Sequence, residues 1–176
     1  MHTIEEVAMQ KLLLMINAAT QSNRQLVAAT LENGIHRELI WIMASKKSVA
    51  YKIIACSTIT SAFSNGGEVH AQEILDAYFL DAVKEMMKTE TDPEHEEVKL
   101  VTCLRSLIEL LWWGGGHKKE EYAAAIRGMG LLRETAKLRS ILHPEVREFA
   151  RKLLNLCNWN EEDDKNQIEG PACFSP

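Results

Sequence analysis

Leu31-Glu32-Asn33-Gly34-Ile35-His36-Arg37-Glu38-Leu39-Ile40-Trp41-Ile42-Met43-Ala44 is followed by a polar break, Ser45-Lys46-Lys47-Ser48. An apolar run then carries Ile53, Ile54, Ala55, Ile59 and Phe63 to Asn65-Gly66-Gly67. Together these make one helical unit. Gly34 after a helical stretch supplies the left-handed backbone that ends a helix. Ile35, Leu39, Ile42 and Met43 then fall on one stripe of a helix over Ile35–Ala44. Val49–Phe63 is longer and more uniformly apolar, which predicts a helix covered on most sides.

The same order occurs on either side. Upstream, Ile4–Ala19 and Arg24–Leu31 read as helices. Downstream come short helices over Glu68–Ala77 and Phe79–Met87, a connector at Thr89–Asp92, and Pro93, suited to a first helical turn. A long helix, Glu94–Trp112, ends at Gly114-Gly115-Gly116. A third round runs from Lys118 through Tyr122 and Ile126, breaks near Gly128 and Gly130, and continues over Leu131–Leu142. His143-Pro144 opens the last long helix, Glu145–Trp159. Aligning Glu32-Asn33-Gly34-Ile35 with Asp76-Ala77-Tyr78-Phe79 and Gly128-Met129-Gly130-Leu131 gives spacings of 44 residues from Gly34 to Tyr78 and 52 from Tyr78 to Gly130. The first lies within the period of about 40–47 residues found in repeats of two or three helices. No stretch alternates like a strand between hairpin turns, so the expected class is all-α. The expected core includes Ile53, Ile59, Leu104, Leu107, Phe149 and Leu153. Residues 1–159 form the helical domain, and the acidic, then Gly/Pro-rich residues 160–176 are expected to be a disordered tail.

Leu31–Leu39 resembles the armadillo pattern of a small residue and Gly before a middle helix. His143-Pro144-Glu145-Val146-Arg147-Glu148-Phe149-Ala150-Arg151-Lys152-Leu153-Leu154-Asn155-Leu156-Cys157 is similar to the start and body of an armadillo third helix, and Thr91-Asp92-Pro93-Glu94 occupies the matching loop one unit earlier. The resemblance covers residues 3–159. It implies a right-handed α-solenoid of about three armadillo-like (ARM/HEAT) repeats with an extra N-terminal helix, which would be the third helix of a preceding repeat. The chain is then either part of a longer solenoid or larger complex, or a short one capped by that helix. In armadillo proteins the third helices line a concave groove, and importin-like members hold extended peptides there with a ladder of Asn. The ladder positions here are Met15, Ser61, Glu109 and Leu156, so that ladder is missing and a receptor for nuclear-localisation signals is not implied.

Composition narrows the function classes. The 176 residues are 46% apolar and 26% charged, with a net charge of −5, which argues against general nucleic-acid or anionic-membrane binding. No apolar run is long enough for a membrane span, and Glu5 and Glu6 do not fit the basic start of a signal peptide. Cys56, Cys103, Cys157 and Cys173 have no metal-ligand or disulfide-framework spacing, so a reduced cytoplasmic or nuclear setting is expected. Cys103 and Cys157 read as inert core thiols. Gly114-Gly115-Gly116-His117-Lys118-Lys119 lacks the spacer and Ser/Thr of a phosphate loop, and His95-Glu96-Glu97 has Lys99 where a zinc helix has its second His. No catalytic residue, cofactor or metal site is expected.

The expected function is therefore a non-catalytic protein–protein interaction module, a scaffold or adaptor, that takes a protein or peptide on the concave face of its long helices. The candidate groove residues are Lys52, Ser61, Arg105, Glu109, Lys152 and Asn155, polar positions on helices that are otherwise apolar; they are either a binding surface or ordinary exposed positions. Trp112-Trp113 cannot both sit at the centre of one buried stripe, because helix neighbours point about 100° apart. One is core and the other either covers a seam or anchors a partner. Two alternatives stand beside the scaffold: a cochaperone or regulatory subunit that embraces a nucleotide-binding protein, and a helical enzyme with its site between repeats.

Overall fold

The computed structural model describes residues 4–66, 68–113, 118–141 and 143–160. Among them are ten α-helices, one 3-10 turn and no strand. The helices are α1 (Ile4–Ser22), α2 (Arg24–Glu32), α3 (Ile35–Ala44), α4 (Val49–Gly66), α5 (Glu68–Asp76), α6 (Phe79–Lys88), α7 (Pro93–Trp113), α8 (Lys119–Gly128), α9 (Leu131–Lys137) and α10 (Pro144–Leu156). Residues 161–176 of the expected tail, the Gly114–Gly116 loop and the Trp113 side chain lie outside the described residues.

Local signals set the helix ends. Asn23 accepts the Gln25 N–H at 2.9 Å and caps α2. Asp92 accepts the His95 N–H at 3.0 Å ahead of Pro93, the first residue of α7. The three aligned breaks share one backbone state: Gly34, Tyr78 and Gly130 precede α3, α6 and α9 with φ of 70°, 67° and 73°. Tyr78 holds this left-handed conformation without being glycine. α10 ends at Leu156, two residues before Asn158, which is also left-handed at φ 48°; there the Trp159 N–H reaches the Leu154 carbonyl and the Asn158 N–H the Asn155 carbonyl. This is the Schellman pattern, with Asn in the usual place of Gly. It stops the helix three residues before the expected Trp159. α9 also stops early, at Lys137, where the chain tightens into the 3-10 turn Leu138–Ser140.

The long helices pack in sequence order: α4 against α1 and α7, and α7 against α10. The short helices follow suit, with α3 against both α4 and α6. Four bonds between successive units keep nearly the same offset. Asn65 Nδ2 donates to the Thr20 carbonyl and Ser64 Oγ to Glu109, each across 45 residues; Cys56 Sγ reaches the Thr102 carbonyl and Lys118 Nζ reaches Gln72, each across 46. The Cys56 and Ser64 contacts ascend both helices together, so α4 and α7 run parallel.

The core sits along these seams. Met43, Cys56, Ile59, Phe63, Cys103, Leu104, Leu107, Val146 and Leu153 are buried, and the Phe63 and Phe79 rings meet edge to face at 5.2 Å. Of the expected core, Ile59, Leu104, Leu107 and Leu153 are fully buried, while Ile53 and Phe149 pack against the core with one edge exposed.

Candidate functional site

The polar positions on the long helices meet at the seams. Ser64 Oγ, one turn beyond Ser61 on α4, lies 3.2 Å from Glu109 Oε2 on α7. Asn65 Nδ2 bridges the carbonyls of Ser61 and Thr20 at 3.0 Å each, tying the end of α4 to the end of α1. Across the next seam the Lys152 ammonium of α10 stands 4.1 Å from the centre of the Trp112 ring of α7. An ammonium over an indole face is attracted by the ring quadrupole. Trp112 stays half-exposed beneath it, and Arg105, Lys152 and Asn155 are exposed. The strip widens into a depression of about 410 Å³ lined by Lys119, Glu148, Arg151, Lys152, Asn155 and Asn158. Three cations and one carboxylate give it a positive balance.

Lys52 does not belong to this strip, which corrects its place among the groove residues. It precedes Ser61 by nine positions, half a turn round the helix from it. Its side chain is 4% exposed, and its ammonium donates to Thr89 Oγ1 at 3.1 Å beneath the connector between α6 and α7. Burial lowers its pKa; Glu85 opposes and Lys99 reinforces that shift. Lys99, 1% exposed, donates to the Thr89 carbonyl and to Glu96 at 2.8 Å. Lys99 follows Glu94, Glu96 and Glu97 in the first two turns of α7, so in the sequence it reads as part of a solvated charged face. Ser64 and Asn65 follow Ser61 at one-turn spacing, the signal in the sequence that puts them beside it on α4.

The cysteine chemistry is that of a packed core. Cys56 and burial together push the Cys103 thiol well above its ordinary pKa, and burial pushes Cys157 up to about 11. Neither is a thiolate at neutral pH, so neither is an activated nucleophile. Among the described residues no group of His, Cys, Asp and Glu could hold a metal ion, and no helix is long and apolar enough to cross a membrane.

No family model and no curated protein matches this chain.

Proposed function

We propose that the chain is a non-catalytic interaction module, an α-solenoid of armadillo-like repeats that holds a protein or peptide on the face shared by α4, α7 and α10. The observation that carries this reading is the Lys152–Trp112 contact. It puts a half-exposed indole beside exposed cations at a helix seam, and Trp and Arg are enriched in binding hot spots. The offset of 45 or 46 residues in these four bonds supports the stacked-repeat reading, since each unit then meets its neighbour in one register. Arg105, Glu109, Trp112, Lys152 and Asn155 carry recognition, with Ser61 and Ser64 setting the floor. The positive depression at the α10 end favours a partner segment bearing carboxylates.

The test is site-specific photocrosslinking in cells, with the probe at Asn155 or, as control, at Asp81 on α6. A partner should be captured from Asn155 and not from Asp81. Arg105→Glu with Lys152→Glu should abolish that capture and leave the melting temperature nearly unchanged, because both side chains are exposed. Equal capture by wild type and the double variant, or capture from Asp81 alone, overturns the proposal.

A further inference from the structure

α3 shows what a middle helix does in this molecule. It lies in the groove between α4 and α6 and buries His36, Leu39, Ile40, Ile42 and Met43. One unit back, the corresponding groove lies between α1 and α3, because α1 stands to α4 as α4 stands to α7. Among the described residues that groove is open. It encloses about 460 Å³ walled by Met9, Leu12, Leu13 and Ile16 of α1 and by Leu39 and Trp41 of α3. Leu12 is 53% and Trp41 59% exposed, large apolar side chains left half in solvent among the described residues. The other end of the row is finished differently. Glu145, Arg147, Glu148 and Arg151 are exposed on α10 and surround it with charge. A stack of helical units needs such a polar surface at a solvent-facing end, and the α1/α3 end has the composition of an interior seam.

We infer that the α1/α3 groove binds an amphipathic helix from a partner protein, seated as α3 is seated on α4 and α6. The packing already present between α3 and its two neighbours continues outward by one unit. The partner helix runs for about three turns and presents apolar residues at the spacing of Ile35, Leu39, Ile42 and Met43, the common helix-in-groove mode. The charged side chains of the lining are Glu38 and Lys47, both exposed at the rim. They match a basic and an acidic residue flanking the apolar stripe of the incoming helix. This surface is separate from the α4–α7–α10 face, and the inference does not rest on that one.

Two synthetic helices serve as probes: residues 33–48 stapled between positions 37 and 41, and residues 77–89 stapled between positions 81 and 85. Each staple replaces exposed positions and removes the cost of helix nucleation. The first staple also removes the peptide's only Trp, so emission reports on the protein. At least one probe should bind one to one by calorimetry and shift the Trp emission to the blue, and the shift should vanish in Trp41→Phe. Leu12→Lys with Met9→Lys should weaken binding by about tenfold or more without lowering the melting temperature, since both side chains project from the surface. A probe with Leu39→Lys and Ile42→Lys should not bind. Failure of both stapled helices to bind, or binding indifferent to Leu12→Lys, overturns the inference. So does a chain that dimerises alone in the ultracentrifuge and becomes monomeric with Leu12→Lys, because a second copy would then be the occupant.

Discussion

Replacing the two buried lysines by Met, one at a time, should move stability in opposite directions. Taking an ammonium out of water costs several kcal/mol, and only good partners offset it. Lys99 has them: its ammonium meets the Thr89 carbonyl and the Glu96 carboxylate. Charge-assisted bonds contribute about 1.5–3 kcal/mol each. In Lys99→Met the Thr89 carbonyl loses a donor while Glu96, 30% exposed, turns to water. The net loss should be about 1–3 kcal/mol, the cost of one orphaned acceptor. Lys52 has a single neutral hydroxyl at 3.1 Å; Glu85 attracts its charge without a direct ion pair, and Lys99 repels it. In Lys52→Met the Thr89 hydroxyl keeps its bond to the Glu85 carbonyl at 2.9 Å, so nothing is orphaned. That variant should be neutral or stabilising by up to about 1 kcal/mol, as is common when an apolar side chain of similar length replaces a buried charge. Urea unfolding of both variants and the double variant, with equal slopes, measures this. The pH dependence carries a second sign. The folded-state pKa of Lys52 lies below its unfolded value, so its contribution is complete above the unfolded value and is lost as pH falls through the folded one. The advantage of Lys52→Met over wild type should therefore shrink as pH rises from neutral towards the ordinary lysine range. A Lys52→Met loss as large as that of Lys99→Met would refute the reasoning.

Tyr78 offers a gain elsewhere. A left-handed L-residue costs about 1–2 kcal/mol, and Tyr78 is 75% exposed, so Tyr78→Gly should stabilise by about 0.5–1 kcal/mol once the added chain freedom of Gly is subtracted. Gly34→Ala should lose about 1 kcal/mol from backbone strain alone, since a Cβ there would touch nothing within 4 Å; thermal melts of both variants check the pair. Leu104→Ala, at the buried seam of α4 and α7, should cost about 2–5 kcal/mol in chemical denaturation, and a loss below about 0.5 kcal/mol would place the side chain at the surface. Burial, and then Arg37, lower the pKa of His36, with Glu73 in partial opposition; among the described residues its Nδ1 has no hydrogen-bond partner. The stability from neutral His36 is present above the unfolded histidine value and lost as pH falls through the lower folded value, so His36→Leu should flatten the decline of stability on acidification.

Much of this architecture is legible in the residues. Helix ends follow from Asn33-Gly34, Asp92-Pro93 and His143-Pro144, because Gly, Pro and capping acids act through local backbone geometry. The left-handed backbone of Tyr78 is legible only through its alignment with Gly34 and Gly130, since tyrosine does not signal it. The solvent azimuth of α4 is harder. That helix is covered on several sides, so its apolar residues have no single stripe, and the depth of Lys52 depends on the connector from Thr89 folding over it. A long aliphatic stem lets a lysine be a surface or an interior residue with equal ease. The Asn158 stop is equally hidden, because Asn is less common than Gly at that position. On the candidate face, the polar identity of Arg105, Glu109 and Lys152 is plain in the sequence. The pairing of Lys152 with Trp112 depends on helices 40 residues apart in the chain and on a rotation that composition does not encode.

The similar separation, 40 to 46 residues, of the residues that meet across the seams also bears on how the chain finds its structure. Closing a loop of about 45 residues costs roughly 3 kcal/mol by the logarithmic law, and the cost grows slowly with length. Successive seams close loops of nearly the same length, so no one seam is a uniquely slow step in a search through distant pairings. The order of assembly then falls to burial. The α4/α7 seam, with Cys56, Ile59, Cys103, Leu104 and Leu107 all buried, has the most to gain by closing first. The α1 and α10 seams can add to it from either side, each with one further closure of similar size. Kinetics of this kind place Leu104 and Leu107 in the nucleus. Their truncation should slow refolding, whereas truncation of Leu13 or Val146, at the flanking seams, should chiefly speed unfolding.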